Sequence, residues 1–167
     1  DVPGIEGQES IVSKPIEEAV RKAHAVFYVT RTPRPPQTHE GDIGDKKGTL
    51  EKIKEHLGSQ TEVWTIYNHP VTNPRALAKK QLLNEDLQMG LNALDGVLKS
   101  QLNDQYCQSI ALSARPAYLA LTECVVPGQK DANEKRKFIE GVGDTQSILE
   151  LSQVNAFVDK LKLNIVG

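Results

Sequence analysis

Three short stretches of the chain carry groups able to act on a ligand. Asp1-Val2-Pro3-Gly4 sets a carboxylate three residues before a glycine. A carboxylate at a strand end can hold a magnesium ion through water, because that ion prefers oxygen ligands and keeps several of its own waters. A glycine nearby lets a backbone N–H come close to a phosphate. The other two stretches, Asn68-His69-Pro70-Val71 and Ser113-Ala114-Arg115, each follow directly on an apolar run. In an open parallel α/β sheet, ligands bind outside the carboxyl ends of the strands, so polar residues in those places are the ones to weigh. Each stretch also has a plainer reading: a terminal turn for the first, strand-to-turn junctions for the other two.

Other chemistries find less support. His24, His39, His56 and His69 show no metal-ligand spacing with Cys107 or Cys124. Ser113 has no Gly-x-Ser-x-Gly context for a nucleophile elbow. Arg31, Arg34 and Arg75 flank loops near the expected ligand edge, where a phosphate or plain water can meet them. No Gly-x-x-x-x-Gly-Lys-[Ser/Thr] loop, the cradle for α- and β-phosphates, occurs in the 167 residues.

The elements that must position these groups alternate along the chain. Ser13 and Pro15 mark a helix start, with Ile16, Ala19, Val20 and Ala23 on one face. Ala25-Val26-Phe27-Tyr28-Val29-Thr30 is rich in β-branched and aromatic residues and reads as a buried strand. Residues 31–47 hold three prolines and two glycines in a polar loop. Leu50, Ile53 and Leu57 mark a short amphipathic helix that stops at Gly58. Glu62–Tyr67 is the second strand. Asn73 and Pro74 then offer a cap and a first-turn proline, and a long helix carries Leu83, Leu87, Leu91, Leu94, Leu98 and Leu102 as one apolar stripe. That stripe reads as core, slightly weakened by Gly90 and Gly96. Cys107–Leu112 is the third strand, and Pro116 opens a helix through Leu121. Asp131 and Glu134 have the spacing of a capping box, and Val154, Phe157, Val158 and Leu161 mark a last helix. Strands alternating with helices predict an α/β fold: a mostly parallel sheet, three strands here, with helices on both faces in three layers.

Composition sets the outer bounds. A chain of this length can bury a core as one domain. Its formal net charge of -2 gives no argument for a nucleic-acid partner or a charged membrane surface. No apolar run approaches the roughly 20 residues of a membrane span. Two isolated cysteines read as buried thiols in a reducing compartment, so the expected location is the cytoplasm. Turn chemistry at the first residue predicts that a strand precedes Asp1.

Taken together and in this order, the three stretches resemble motifs of P-loop GTPases. Asp1-Val2-Pro3-Gly4-Ile5-Glu6-Gly7 resembles switch II. Asn68-His69-Pro70-Val71 stands where such domains carry Asn-Lys-x-Asp, and Ser113-Ala114-Arg115 resembles Ser-Ala-Lys. The first string and the Ala-His-Ala-Val-Phe-Tyr-Val-Thr strand look most like bacterial dynamin-like GTPases. The resemblance covers residues 1–126 as a partial GTPase domain, with 127–167 as a helical C-terminal extension leading toward a helical bundle.

The resemblance implies a guanine-nucleotide site with GTP and magnesium as ligands. Asp1 would hold the ion through water and Gly4 would meet the γ-phosphate. Asn68, His69, Ser113 and Ala114 would shape the base pocket, with a backbone N–H of the Ser-Ala motif on the guanine oxygen. The sequence departs from the pattern in two places. Val71 replaces the carboxylate that accepts bonds from guanine, and Ile5 replaces the glutamine that orients water in many GTPases. Without a P-loop the isolated chain is expected to hydrolyse little or no GTP, so no catalytic residue is assigned. The same gap predicts that the chain pairs with a complementary GTPase half, self-associates or belongs to a longer protein. The competing expectation is a protein-interaction module that descends from a GTPase and no longer binds nucleotide.

Overall fold

A computed structural model of the chain describes residues 18–34, 54–55, 57–58, 60–77 and 79–163. Asp1 and Gly4, the expected helix start at Ser13, most of the 31–47 loop and most of the short helix around Leu50–Leu57 lie outside the described residues.

The predicted strands are present, and two of them run one residue further. β1 spans Ala25–Thr30, β2 spans Glu62–Asn68 and β3 spans Tyr106–Leu112. They form one parallel sheet in the order β1-β2-β3, so the fold is α/β. Sequential parallel neighbours need a crossover of a dozen or more residues, and 31–61 and 69–105 supply it. The middle strand shows its position in its burial. Val63, Trp64, Thr65, Ile66 and Tyr67 are all buried, as a strand covered on both faces requires. On β3 only Tyr106, Ile110 and Leu112 are buried.

Residues 18–22 are helical, on the first helix that the sequence predicts, and five further helices are α1 (Glu85–Leu102), α2 (Ala114–Leu121), α3 (Lys130–Val142), α4 (Thr145–Leu151) and α5 (Val154–Leu161). The start of α1 differs from expectation. Asn73 and Pro74 cap only a 3-10 turn, Pro74–Ala76, in which the Arg75 N–H donates to Asn73 Oδ1 at 3.0 Å. The helix itself begins eleven residues later, where Asn84 Oδ1 accepts from the Leu87 N–H at 2.9 Å. Leu83 therefore lies outside the helix, while Leu91, Leu94, Leu98 and Leu102 are buried as a core stripe should be. Gly90 is more than a weak point. A Cβ there would stand 2.9 Å from the carbonyl oxygen of Pro33, so glycine is what permits the close approach.

Two further expectations are corrected. Asp131 and Glu134 form no capping box: α3 starts at Lys130, and both carboxylates reach Arg115 instead. A guanidinium fork facing two carboxylates makes charge-assisted bonds stronger than a neutral cap. Cys107 and Cys124 are both exposed and unbridged. Cys107 falls between Tyr106 and the inward positions of β3, and Cys124 lies in the segment that follows α2.

By backbone proximity the chain divides into two compact units. The first comprises residues up to Tyr28, 34–64 and 92–108. In it Gln105 Nε2 donates to the Gly58 carbonyl at 2.6 Å, and the Tyr106 hydroxyl donates to Asp95 Oδ1 at 2.6 Å. The second comprises 29–33, 65–91 and 109–167. Its core is Val71, Leu77, Leu82, Leu119, Phe138 and Ile148. There α2 packs against α3 and α4, and α3 packs on the Pro74–Ala76 turn.

Candidate functional site at the carboxyl ends of β2 and β3

The two described motif stretches meet. β2 ends at Asn68 and β3 at Leu112, and as parallel neighbours they deliver the residues that follow them to the same edge. The His69 N–H donates to the Leu112 carbonyl at 2.8 Å, which extends the ladder one step past β2. Ser113 Oγ donates to the His69 carbonyl at 2.7 Å, and the Ala114 N–H donates to Asn68 Oδ1 at 3.0 Å. Four expected site residues, Asn68, His69, Ser113 and Ala114, are thus tied together across 44 to 46 positions of sequence.

Each contact has a local cause. Ser113 is the residue before α2, a place where a serine hydroxyl usually caps the helix. Here it makes no cap bond and reaches the neighbouring strand end instead, while its own N–H donates to the Ser152 carbonyl at 2.9 Å. Both serines are fully buried, so their polar groups must be paired inside the protein. Past His69 the chain turns at once. The Val71 N–H donates to the His69 carbonyl at 2.9 Å, closing a three-residue γ-turn centred on Pro70. Proline fixes φ near -65°, close to what the inverse γ-turn needs.

The imidazole of His69 has a partner of its own. Its Nδ1 lies 2.9 Å from the Tyr67 hydroxyl, and the two rings stand 5.6 Å apart at 38°. Tyr67 is buried and His69 is partly exposed. Burial pushes the phenol up and the imidazole down from their ordinary values, so both groups are neutral near pH 7. Tyr67 and Ser152 were missed by the sequence reading. Tyr67 could have been found, since residues two apart on a strand share a face. Ser152, 39 positions from Ser113, has no such signal.

Two residues of the motif stretches lie outside the expected site. Val71, which replaces the motif's carboxylate, is buried in the core with Leu77, Leu119, Phe138 and Ile148. Arg115 turns away to α3. It meets Asp131 at 2.6 Å and Glu134 at 2.5 Å, and its guanidinium lies 5.4 Å from the centre of the Tyr118 ring. The Tyr118 hydroxyl completes the cluster by donating to Asp131 Oδ2 at 3.0 Å. Arg115 hydrogen bonds hold the Asp131 carboxyl below its ordinary value. Both facts make this cluster a brace between α2 and α3.

The residues at the strand ends suit a planar polar ligand only in part. They offer an amide, an imidazole and a turn backbone, but the Ala114 N–H is already bonded to Asn68 and no carboxylate stands at Val71. Asp1, the expected magnesium ligand, lies outside the described residues, and among the described residues no group of three His, Cys, Asp or Glu residues able to hold a metal occurs. Among those residues, also, no helix is long and apolar enough to cross a membrane. Comparisons with protein-family models, with curated proteins and with solved structures find no match to this chain.

Proposed function

We propose that this chain is the part of a dynamin-like GTPase domain that carries switch II and the base-binding edge, within a three-layer fold with helices on both sheet faces. One observation carries the reading. Asn68–His69 and Ser113–Ala114 resemble two motifs that such domains bring together, and they are hydrogen-bonded at the carboxyl ends of adjacent parallel strands. In this reading the Asn68 carboxamide braces the Ser113–Ala114 turn and the partly exposed His69 borders the base. Asp1 and Gly4 would serve magnesium and the γ-phosphate by resemblance alone. Bound magnesium would offset phosphate charge, and phosphoryl transfer would further need a P-loop. A complementary GTPase half, or the remainder of a longer chain, is the partner that would supply it.

A second reading is favoured by two specific contacts. Val71 is spent on the core, and the Ala114 N–H is engaged within the protein. A docking module that no longer takes nucleotide would tolerate both.

Titration with fluorescent GTP and ATP analogues, with and without magnesium, separates the two. It is run on the chain and on the longest reading frame that contains it. Magnesium-dependent GTP binding, weakened roughly tenfold in Asn68→Ala, about 1.4 kcal/mol, is the expected result. Binding of neither nucleotide by protein that is folded by circular dichroism would leave the docking module as the account.

A further inference from the structure

Tyr67 has a role that its burial alone does not require. Its side chain is 2% exposed, and among the described residues its hydroxyl has one partner, His69 Nδ1 at 2.9 Å. A buried phenol O–H needs an acceptor. If Nδ1 carried the imidazole proton, it would donate to the phenol oxygen and leave the O–H without one. The pair is satisfied when Tyr67 donates and Nδ1 accepts. The neutral imidazole then carries its proton on Nε2.

That nitrogen has no partner among the described residues, and His69 as a residue is partly exposed. The backbone beneath it is pinned by the Leu112 carbonyl, the Ser113 hydroxyl and the Val71 N–H. A donor with a fixed tautomer on a fixed backbone is preorganised, and it loses little freedom when a ligand arrives.

We propose that Tyr67 is a positioning residue that fixes the tautomer of His69, making its Nε2–H the donor this strand edge offers to an acceptor on the edge of a purine base. The inference rests on the nucleotide reading above and adds the residue that meets the base. It also accounts for a site with no carboxylate at Val71. A carboxylate can only accept from a base, whereas this edge donates to a carbonyl oxygen or ring nitrogen.

Two measurements test it together. Long-range 1H–15N NMR of the imidazoles should show the His69 proton on Nε2 in the folded chain, and a mixture of tautomers in Tyr67→Phe. Titration with the GTP analogue, in the chain or the reading frame that contains it, should weaken several-fold in Tyr67→Phe. It should weaken about tenfold or more in His69→Ala and partly recover in His69→Gln, whose amide keeps a donor. A proton on Nδ1 in the native chain, or wild-type binding by His69→Ala, overturns the proposal and leaves the nucleotide reading intact. Absence of GTP binding by the folded native protein overturns both, whichever tautomer the NMR shows.

Discussion

Ser113 makes one side-chain bond with a measurable consequence. Its hydroxyl donates to the His69 carbonyl, which also accepts from the Val71 N–H. Ser113→Ala therefore removes a hydrogen bond without orphaning the acceptor. The expected loss is about 1 kcal/mol in a denaturant melt, short of the larger cost of a fully unsatisfied buried group. A loss much greater than that would mean the hydroxyl supports more than this one carbonyl. At this scale the sequence placed His69 and Ser113 directly after their strands, because a strand's end is a local property, while Asn68 is the last residue of β2 and Ala114 the first of α2. It showed Val71 in place of the motif's carboxylate but not that this valine is buried. Whether a valine faces a ligand or a core depends on Leu119, Phe138 and Ile148, all distant in the chain.

Helices α1 and α3 each contain a glycine that tests how far propensity decides an element. In α1 a Cβ at Gly96 would meet nothing within 4 Å. Gly96→Ala should stabilise by roughly 0.5–1 kcal/mol, because the helix gains a better former and the unfolded chain loses freedom. In α3 a Cβ at Gly141 would stand 2.7 Å from the Pro74 Cβ. A proline ring cannot rotate aside. Overpacking typically costs about 1–3 kcal/mol, more than the propensity gain, so Gly141→Ala should destabilise by roughly 1–2 kcal/mol. Thermal melts of the two variants should move in opposite directions. Sequence alone treats the two positions alike. Local chemistry also located the three strands and the leucine stripe, but it started α1 too early. An Asn-Pro pair signals a turn whether or not a helix follows, and Asn84 caps the helix that does.

At the scale of the whole molecule, stability should fall in two steps as pH drops. His69 has a folded pKa pushed below 6.5 by burial, so the unfolded chain binds its proton first. The stability tied to neutral His69 is complete above about pH 6.5 and declines as pH falls toward the folded value. Asp131 has a folded pKa held below 3.8, chiefly by its Arg115 bond, so its contribution is present above the ordinary value and is lost below it. Urea melts across pH should show both slopes. His69→Gln should flatten the first, and Arg115→Ala should shrink the second, which high salt also weakens because the cluster is solvent-accessible. A pH profile unchanged in both variants would mean that other groups set it.

The α/β alternation, the three strands, the core stripe of α1 and the polar residues after β2 and β3 follow from the sequence alone, since periodicity and turn chemistry act within a few residues. The pairing of those strand ends, the Arg115 brace to α3, the burial of Val71 and Ser152 and the tether of His69 to Tyr67 came only with the tertiary structure. Each depends on which distant groups compete for the same hydrogen bond or the same volume, and that competition exists only once the chain has folded.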